Sequence, residues 1–120
     1  MVLGDKMVEA INSYKIHLNA NIGADINYRN FETLGCGTVL ATVAYNMENA
    51  VQYDDLGFKH LENCILFHKD MSAEEFISVV NEVLSNDNHR QRIEKNALEL
   101  AKKHTYKERA KTIIELWQKL

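Results

Sequence analysis

Residues 27–43 read NYRNFETLGCGTVLATV, and this stretch decides the fold. Asn27 to Leu34 predict a helix, and Gly35-Cys36-Gly37 predict its end, because a glycine just past a helix tolerates the positive φ that closes the last turn. Thr38 to Val43 then form an unbroken run of β-branched and apolar residues, which is typical of a buried strand. A helix that leads through a tight turn into a buried strand is the repeating step of an α/β protein.

The flanking sequence extends this alternation in both directions. Upstream, Asp5 to Ser13 predict a helix, and Ile16 to Ile22 alternate apolar and polar residues with the period of two that marks a strand. Downstream, Asn46 to Leu56 predict another helix and Cys64 to Phe67 a third short strand. Because strands alternate with helices, we predict a parallel sheet joined by right-handed crossovers.

The C-terminal part of the chain is predicted to be helical. Capping boxes at Ser72–Glu75 and Thr105–Glu108 mark two helix starts, since the hydroxyl and the carboxylate satisfy backbone N–H groups of the first turn. Asn88 to Lys103 predict a helix between them. The last helix carries an apolar stripe, so we predict that it is packed and that Trp117 is at least partly covered. The predicted fold class is therefore α/β: a partial doubly wound, Rossmann-like parallel sheet of about three strands, with flanking helices and a helical C-terminus.

Composition excludes several classes of function. The 120 residues suffice for one domain, and a net charge of -3 does not indicate a nucleic-acid partner. No apolar run approaches the roughly 20 residues of a membrane span. Cys36 and Cys64 form no CxxC pair and have no histidine at metal-ligand spacing. We therefore expect two unpaired, mostly buried thiols, no metal and no cofactor, and a cytoplasmic location.

The segment that joins the first strand to the next helix is the candidate binding site. Ligands of doubly wound folds lie beyond the carboxyl ends of the strands, and a helix N-terminus there suits a diphosphate. Arg29 lies near that N-terminus and adds a permanently charged fork. Glu32 follows one turn later on the same side, where its carboxylate can accept the two hydroxyl hydrogens of a ribose. Spacing alone leaves the alternative open that Arg29 and Glu32 are only a surface pair on the helix.

Other polar residues have simpler explanations. His17 on the first strand fits a partly buried, hydrogen-bonded histidine, and Asn19 fits a hydrogen-bonding residue at the strand end. Tyr45-Asn46 follow the second strand and fit turn chemistry better than contact with a base or sugar. In Tyr53-Asp54-Asp55, we expect the adjacent carboxylates to be solvated rather than to hold a cation.

Four segments carry a family resemblance. Lys15 to Asn19 and Asn27 to Thr42 resemble the C-terminal signature of the glycosyl transferases group 1, and within them the spore-maturation CgeB-like proteins, whose motif reads roughly KIxLN, a loop, then RxFExxxCGxxxxT. Leu56 to Phe58 with Glu62 to Phe67 resemble the family's GFxxxxNxxxY segment. His104 to Ala110 resemble its HTYxxR helix start. The likeness covers nearly the whole chain in the right order.

The resemblance implies what the protein does. It implies that residues 1–120 are a single domain, the C-terminal, nucleotide-sugar-binding half of a two-domain GT-B glycosyltransferase. It also implies that this chain lacks the first strands of that half and the N-terminal acceptor domain. The expected partner is a nucleotide diphosphate sugar donor. The alternative is a non-catalytic α/β domain that binds a nucleotide or serves as a scaffold.

The family's motif residues map onto this chain by position. Its glutamate aligns with Glu32, which is expected to hold the ribose hydroxyls, and its arginine aligns with Arg29, expected beside the diphosphate and therefore the catalytic candidate. The remaining donor-binding residues expected from the resemblance are Gly23, Ala24, Asp25, Ile26 and Asn27. Related retaining transferases carry an acidic residue eight positions before the glutamate, where this chain has Ala24. The role of the adjacent Asp25 therefore stays open.

Overall fold

The computed structural model describes residues 4–20, 26–44, 52–68 and 70–120. Its elements are α1 Asp5–Asn12, β1 Ile16–Asn19, α2 Tyr28–Gly35, β2 Val39–Ala44, β3 Ile65–His68, α3 Ala73–Ser85, α4 Asp87–Lys102 and α5 Tyr106–Gln118. Residues 52–55 are also helical. The end of the first predicted strand, the start of the helix predicted from Asn46, and the turn candidates Tyr45-Asn46 lie outside the described residues.

The three strands form one parallel sheet in the order β1-β2-β3. Ile16 of β1 pairs with Val39 of β2, and Ala41 of β2 pairs with Ile65 of β3. These findings confirm the predicted α/β class, the three-stranded parallel sheet and the helical C-terminus. They also explain why the sequence of β2 is almost continuously apolar, since β2 is the central strand and is covered on both faces.

The two faces of β2 belong to two hydrophobic clusters. Leu40 and Ala44 point into a cluster with Leu34, Phe58 and residues of the second half of α4. Val39 and Ala41 point the opposite way, into a cluster that α3 and the middle of α4 complete. Successive residues of a strand alternate between faces, so one short strand anchors helices on both sides of the sheet.

Local sequence sets both ends of α2. At its start, the Asn27 side chain accepts a hydrogen bond from the Arg29 backbone N–H at 3.1 Å, as an N-cap does. Beyond its end, Gly37 has a φ of +72°, and a Cβ there would lie 3.3 Å from Leu98. The predicted glycine turn is confirmed, and it both closes α2 and lets α4 approach the turn.

The two predicted capping boxes have different outcomes. At α3 the box is complete: Ser72 Oγ accepts from the Glu75 N–H at 3.1 Å, and Glu75 Oε2 accepts from the Ser72 N–H at 2.8 Å. At α5 the Thr105 hydroxyl accepts from the Glu108 N–H at 3.2 Å. The Glu108 carboxylate, however, pairs with Lys111 at 2.8 Å, so only half of the second box forms.

The apolar side of α5 is open to solvent. Trp117 is 75% exposed, and every residue from 109 to 120 is exposed. The prediction that Trp117 is partly covered is therefore wrong. Helical periodicity identifies an apolar side but does not say that the same chain covers it. Within the described ranges, no helix combines the length and the apolar content needed to cross a bilayer.

A buried polar network joins the carboxyl ends of the strands to α2. The Asn19 amide donates to Asn27 Oδ1 at 2.9 Å and also to Asn30 Oδ1. Asn30 in turn donates to the Tyr53 hydroxyl at 3.2 Å, and the Thr42 hydroxyl donates to the Asn19 carbonyl at 3.1 Å. Asn30, Thr42 and Tyr53 are fully buried. The prediction for Asn19 is confirmed, and the network fixes α2 against β1, β2 and residues 52–55.

Asn30→Ala is expected to lower the free energy of unfolding by about 1–3 kcal/mol, because it leaves buried polar groups of its neighbours with fewer partners. The measurement is urea unfolding. Asn88→Ala is the matched control, since Asn88 is exposed on α4 and its loss should change stability by no more than about 0.5 kcal/mol. Equal losses in the two variants would contradict a stabilising role for the network.

Candidate functional site

An open cavity of about 1370 Å³ lies where α2, the segment 52–56, the end of α4 and the start of α5 meet. It exceeds the roughly 300–1,000 Å³ of ordinary small-molecule pockets, so it can take a ligand as large as a nucleotide sugar. Three of the predicted binding residues line it, namely Ile26, Asn27 and Glu32. Arg29 is not among the lining residues, and Gly23, Ala24 and Asp25 lie outside the described part of the chain.

Arg29 and Glu32 form an ion pair on α2. Arg29 Nε lies 3.4 Å from Glu32 Oε2, and both side chains are 39% exposed. A pair of this kind stabilises a helix by about 0.2–0.5 kcal/mol, so its stabilising effect is small. Arg29 also acts on the half-buried His17 of β1, whose pKa is lowered first by burial and then by this positive charge.

Glu32 combines the ion pair with a place on the cavity wall. Its carboxylate has two oxygens and about four lone-pair sites. Pairing with Arg29 through Oε2 therefore leaves acceptor capacity for a bound molecule. Arg29 and Glu32 do form the ion pair on the helix surface that their spacing allowed. Spacing alone did not reveal that Glu32 also lines a cavity.

The two cysteines are unpaired, as predicted. Cys64 is fully buried, and burial raises the pKa of its thiol to about 12. Cys36, just after α2, is only half-buried, so the prediction of a mostly buried thiol is confirmed for Cys64 and wrong for Cys36. Its pKa is raised first by burial and then by the negative charge of Glu32, while Arg29 lowers it. The pKa of Cys36 therefore depends on the charges of Glu32 and Arg29.

The acidic pair Asp54-Asp55 is exposed, as predicted. Asp55 lines the cavity. Among the described residues, no group of three histidine, cysteine, aspartate or glutamate side chains is arranged to hold a metal ion. Individual carboxylate, amide and cationic side chains line the cavity, among them Glu32, Asn27 and Arg109.

Two further polar residues of the cavity, His104 and Arg109, were not predicted from sequence to be binding residues. His104 Nε2 lies 2.7 Å from the Leu56 carbonyl oxygen, and His104 Nδ1 lies 2.7 Å from Arg109 Nη2. The imidazole packs against Phe31, with ring centroids 5.2 Å apart. The HTYxxR segment was visible as a motif, but its partner Leu56 is 48 residues away, and no local pattern predicts such a contact.

One family model, described as glycosyl transferase-like, matches residues 1–115. The chain belongs to this family. The match spans the cavity residues Glu32, His104 and Arg109 together, and it confirms the glycosyltransferase resemblance. No curated protein and no solved structure matches the chain significantly. A glycosyl transferase-like protein acts on a sugar donor, and the cavity beside Glu32 is the candidate place for it.

Glu32→Gln is expected to lower the pKa of Cys36, because it removes a negative charge that disfavours the thiolate. At a fixed, mildly alkaline pH the thiolate fraction and the rate of labelling by a thiol reagent should rise. Arg29→Gln should act in the opposite direction and slow labelling. Cys64 should stay unlabelled in the folded protein of both variants. An unchanged or slower rate in Glu32→Gln would show that its carboxylate does not act on Cys36.

Proposed function

We propose that this glycosyl transferase-like chain is the donor-binding half of a GT-B glycosyltransferase of the CgeB-like subset, which transfers a sugar from a nucleotide diphosphate sugar to an acceptor. The observation that carries the proposal is the position of Glu32, half-buried on the wall of a cavity of nucleotide-sugar size. The family match supports glycosyl transfer as the reaction.

Glu32 suits the ribose of the donor. An ionised carboxylate only accepts hydrogen bonds, and its two oxygens match the two adjacent hydroxyl groups of a ribose. The ion pair with Arg29 at 3.4 Å holds the carboxylate on the side of α2 that borders the cavity. A nucleotide whose sugar contacts Glu32 then extends along the cavity toward its remaining polar groups.

Arg29 and the start of α2 suit the leaving group. When the bond between the anomeric carbon and the diphosphate oxygen breaks, negative charge develops on the nucleoside diphosphate. The positive end of the helix dipole and a guanidinium in the first turn stabilise that charge without further reorganisation. We propose Arg29 as the catalytic residue in this sense: it lies in the first turn of α2, next to the lining residue Tyr28, and acts on the developing charge from beside the cavity wall.

The loop before α2 is proposed to contact the phosphates or the sugar. Gly23, Ala24 and Asp25 precede Ile26 and Asn27, which line the cavity. Asn27 is held by the cap of α2 and by the Asn19 amide, so the end of this loop has a fixed position. A glycine in the loop allows backbone to approach a phosphate closely.

The acceptor is proposed to bind in a separate N-terminal domain, as the resemblance implies. The exposed apolar side chains Ile113, Ile114 and Trp117 on α5 give that domain a surface to cover. We place the enzyme in the cytoplasm, where unpaired thiols such as Cys36 and Cys64 persist.

Glu32→Gln is expected to weaken nucleoside diphosphate binding by roughly 10- to 100-fold, because a hydrogen bond to a charged group contributes about 1.5–3 kcal/mol. Calorimetry with UDP, GDP, ADP and dTDP measures this. The fold should be unaffected, since the side chain is not part of the core.

Glu94→Gln is the matched control, because Glu94 also pairs with an arginine of its own helix, at 3.4 Å from Arg90 Nε, and neither residue lines the cavity. It should leave nucleotide binding unchanged. Normal binding by a correctly folded Glu32→Gln variant would overturn the proposed role of Glu32.

A further inference from the structure

We propose that Arg109 is a second anion-binding residue of the cavity, which contacts the diphosphate of the donor, and that His104 is the residue that positions it. This inference rests on the proposed function. It starts from the side chains that meet at the junction of α4 and α5, where both residues line the same cavity as Glu32.

The hydrogen bonds of His104 fix its tautomer. The Leu56 carbonyl oxygen can only accept, so the Nε2 atom 2.7 Å away carries a proton. The Arg109 guanidinium can only donate, so Nδ1, at 2.7 Å from Arg109 Nη2, carries none. In this arrangement His104 donates through Nε2 and accepts through Nδ1.

This arrangement places the guanidinium before any ligand arrives. The imidazole is held on one side by the Phe31 ring of α2 and at one end by the Leu56 carbonyl. Arg109 is attached to its other end. Three separate parts of the chain thus cooperate to orient one side chain. Such preorganisation reduces the entropy lost when the side chain binds a ligand.

The charge of Arg109 is not neutralised by its protein contact. Among the described residues, carboxylates pair with Arg29, Arg90, Lys102 and Lys111, whereas none forms an ion pair with Arg109. Its observed partner is a neutral nitrogen atom, which leaves the full positive charge in place. The guanidinium has five N–H donors in a planar fork, so the donors beyond the one used by His104 can bind phosphate oxygens in pairs.

Glu32 and Arg109, which line the same cavity, match the two polar parts of a nucleoside diphosphate. The carboxylate accepts from ribose hydroxyl groups and repels phosphate, while the guanidinium binds phosphate. Arg29 is already paired with Glu32 and does not line the cavity. Of these two arginines, Arg109 is therefore the one on the cavity lining, and it adds a second phosphate contact to the one proposed for Arg29.

The test is calorimetry on the whole chain with UDP, GDP, ADP and dTDP, with the corresponding nucleosides, and with inorganic pyrophosphate. Arg109→Gln should weaken binding of the diphosphates and of pyrophosphate by roughly 10- to 100-fold while leaving nucleoside binding unchanged. Lys107→Gln is the matched control, because it makes the same charge change on the same exposed turn away from the cavity. It should have little effect on any of these probes.

Two variants of His104 separate positioning from general support of the fold. An asparagine amide reaches the position of Nδ1 and can keep the acceptor for Arg109, whereas a glutamine amide reaches the position of Nε2 and can keep the bond to Leu56. His104→Asn should therefore retain more of the preference for diphosphate over nucleoside than His104→Gln. If both variants keep the full preference, or if only their melting temperatures change, His104 does not position Arg109.

The outcomes distinguish this inference from the proposed function. In one outcome, nucleoside diphosphates bind, Glu32→Gln weakens their binding, and Arg109→Gln has no more effect than Lys107→Gln. The inference about Arg109 then fails and the proposed function stands. If pyrophosphate binds in a manner that depends on Arg109 but nucleoside diphosphates bind no better, the donor function fails and the anion site stands. If neither binds to the wild-type chain, both fail.

Discussion

The buried amide of Asn30 is the constraint on which the site depends. It accepts from the Asn19 amide at the end of β1 and donates to the Tyr53 hydroxyl at 3.2 Å. The Thr42 hydroxyl of β2 lies 3.5 Å from Asn30 Oδ1, the atom that accepts from Asn19. A buried polar group that loses its partners costs free energy, so the positions of these residues are tightly specified. Two strand ends, a helix and the segment 52–55 are thereby held in one arrangement at the carboxyl edge of the sheet.

The same constraint decides which side of α2 borders the cavity. Asn30, Thr33 and Leu34 are buried at helical spacing, so the helix cannot rotate without exposing them. Glu32 is consequently placed at the flank, where it meets both Arg29 and the cavity. Phe31, which lies between Asn30 and Glu32 in the sequence, packs against His104. A short helix with one fixed orientation thus connects the polar network to Glu32, Arg29 and, through His104, Arg109, the three charged groups that we assign to the donor.

Sequence predicted the parts of this arrangement that depend on local periodicity. The period-two run at Ile16, the β-branched run that became β2 and the glycine turn at Gly37 predicted an α/β sheet, because each is a local backbone preference. The Arg29–Glu32 contact followed from helical spacing. The bond from His104 to Leu56 joins residues far apart in the chain, and no local pattern encodes it. The exposure of Trp117 was missed because amphipathicity does not reveal what covers a helix.

The central claim, that a nucleoside diphosphate binds in the cavity beside Glu32, is tested most directly by mapping backbone amide chemical shifts while the chain is titrated with UDP, GDP, ADP or dTDP. The account predicts that one or more of these ligands shifts the amides of residues 26–32 and 104–109 together, with smaller changes in β3 and α3. Shifts confined to α3 and the first half of α4, on the other face of the sheet, would contradict it. So would an unchanged spectrum with all four nucleotides.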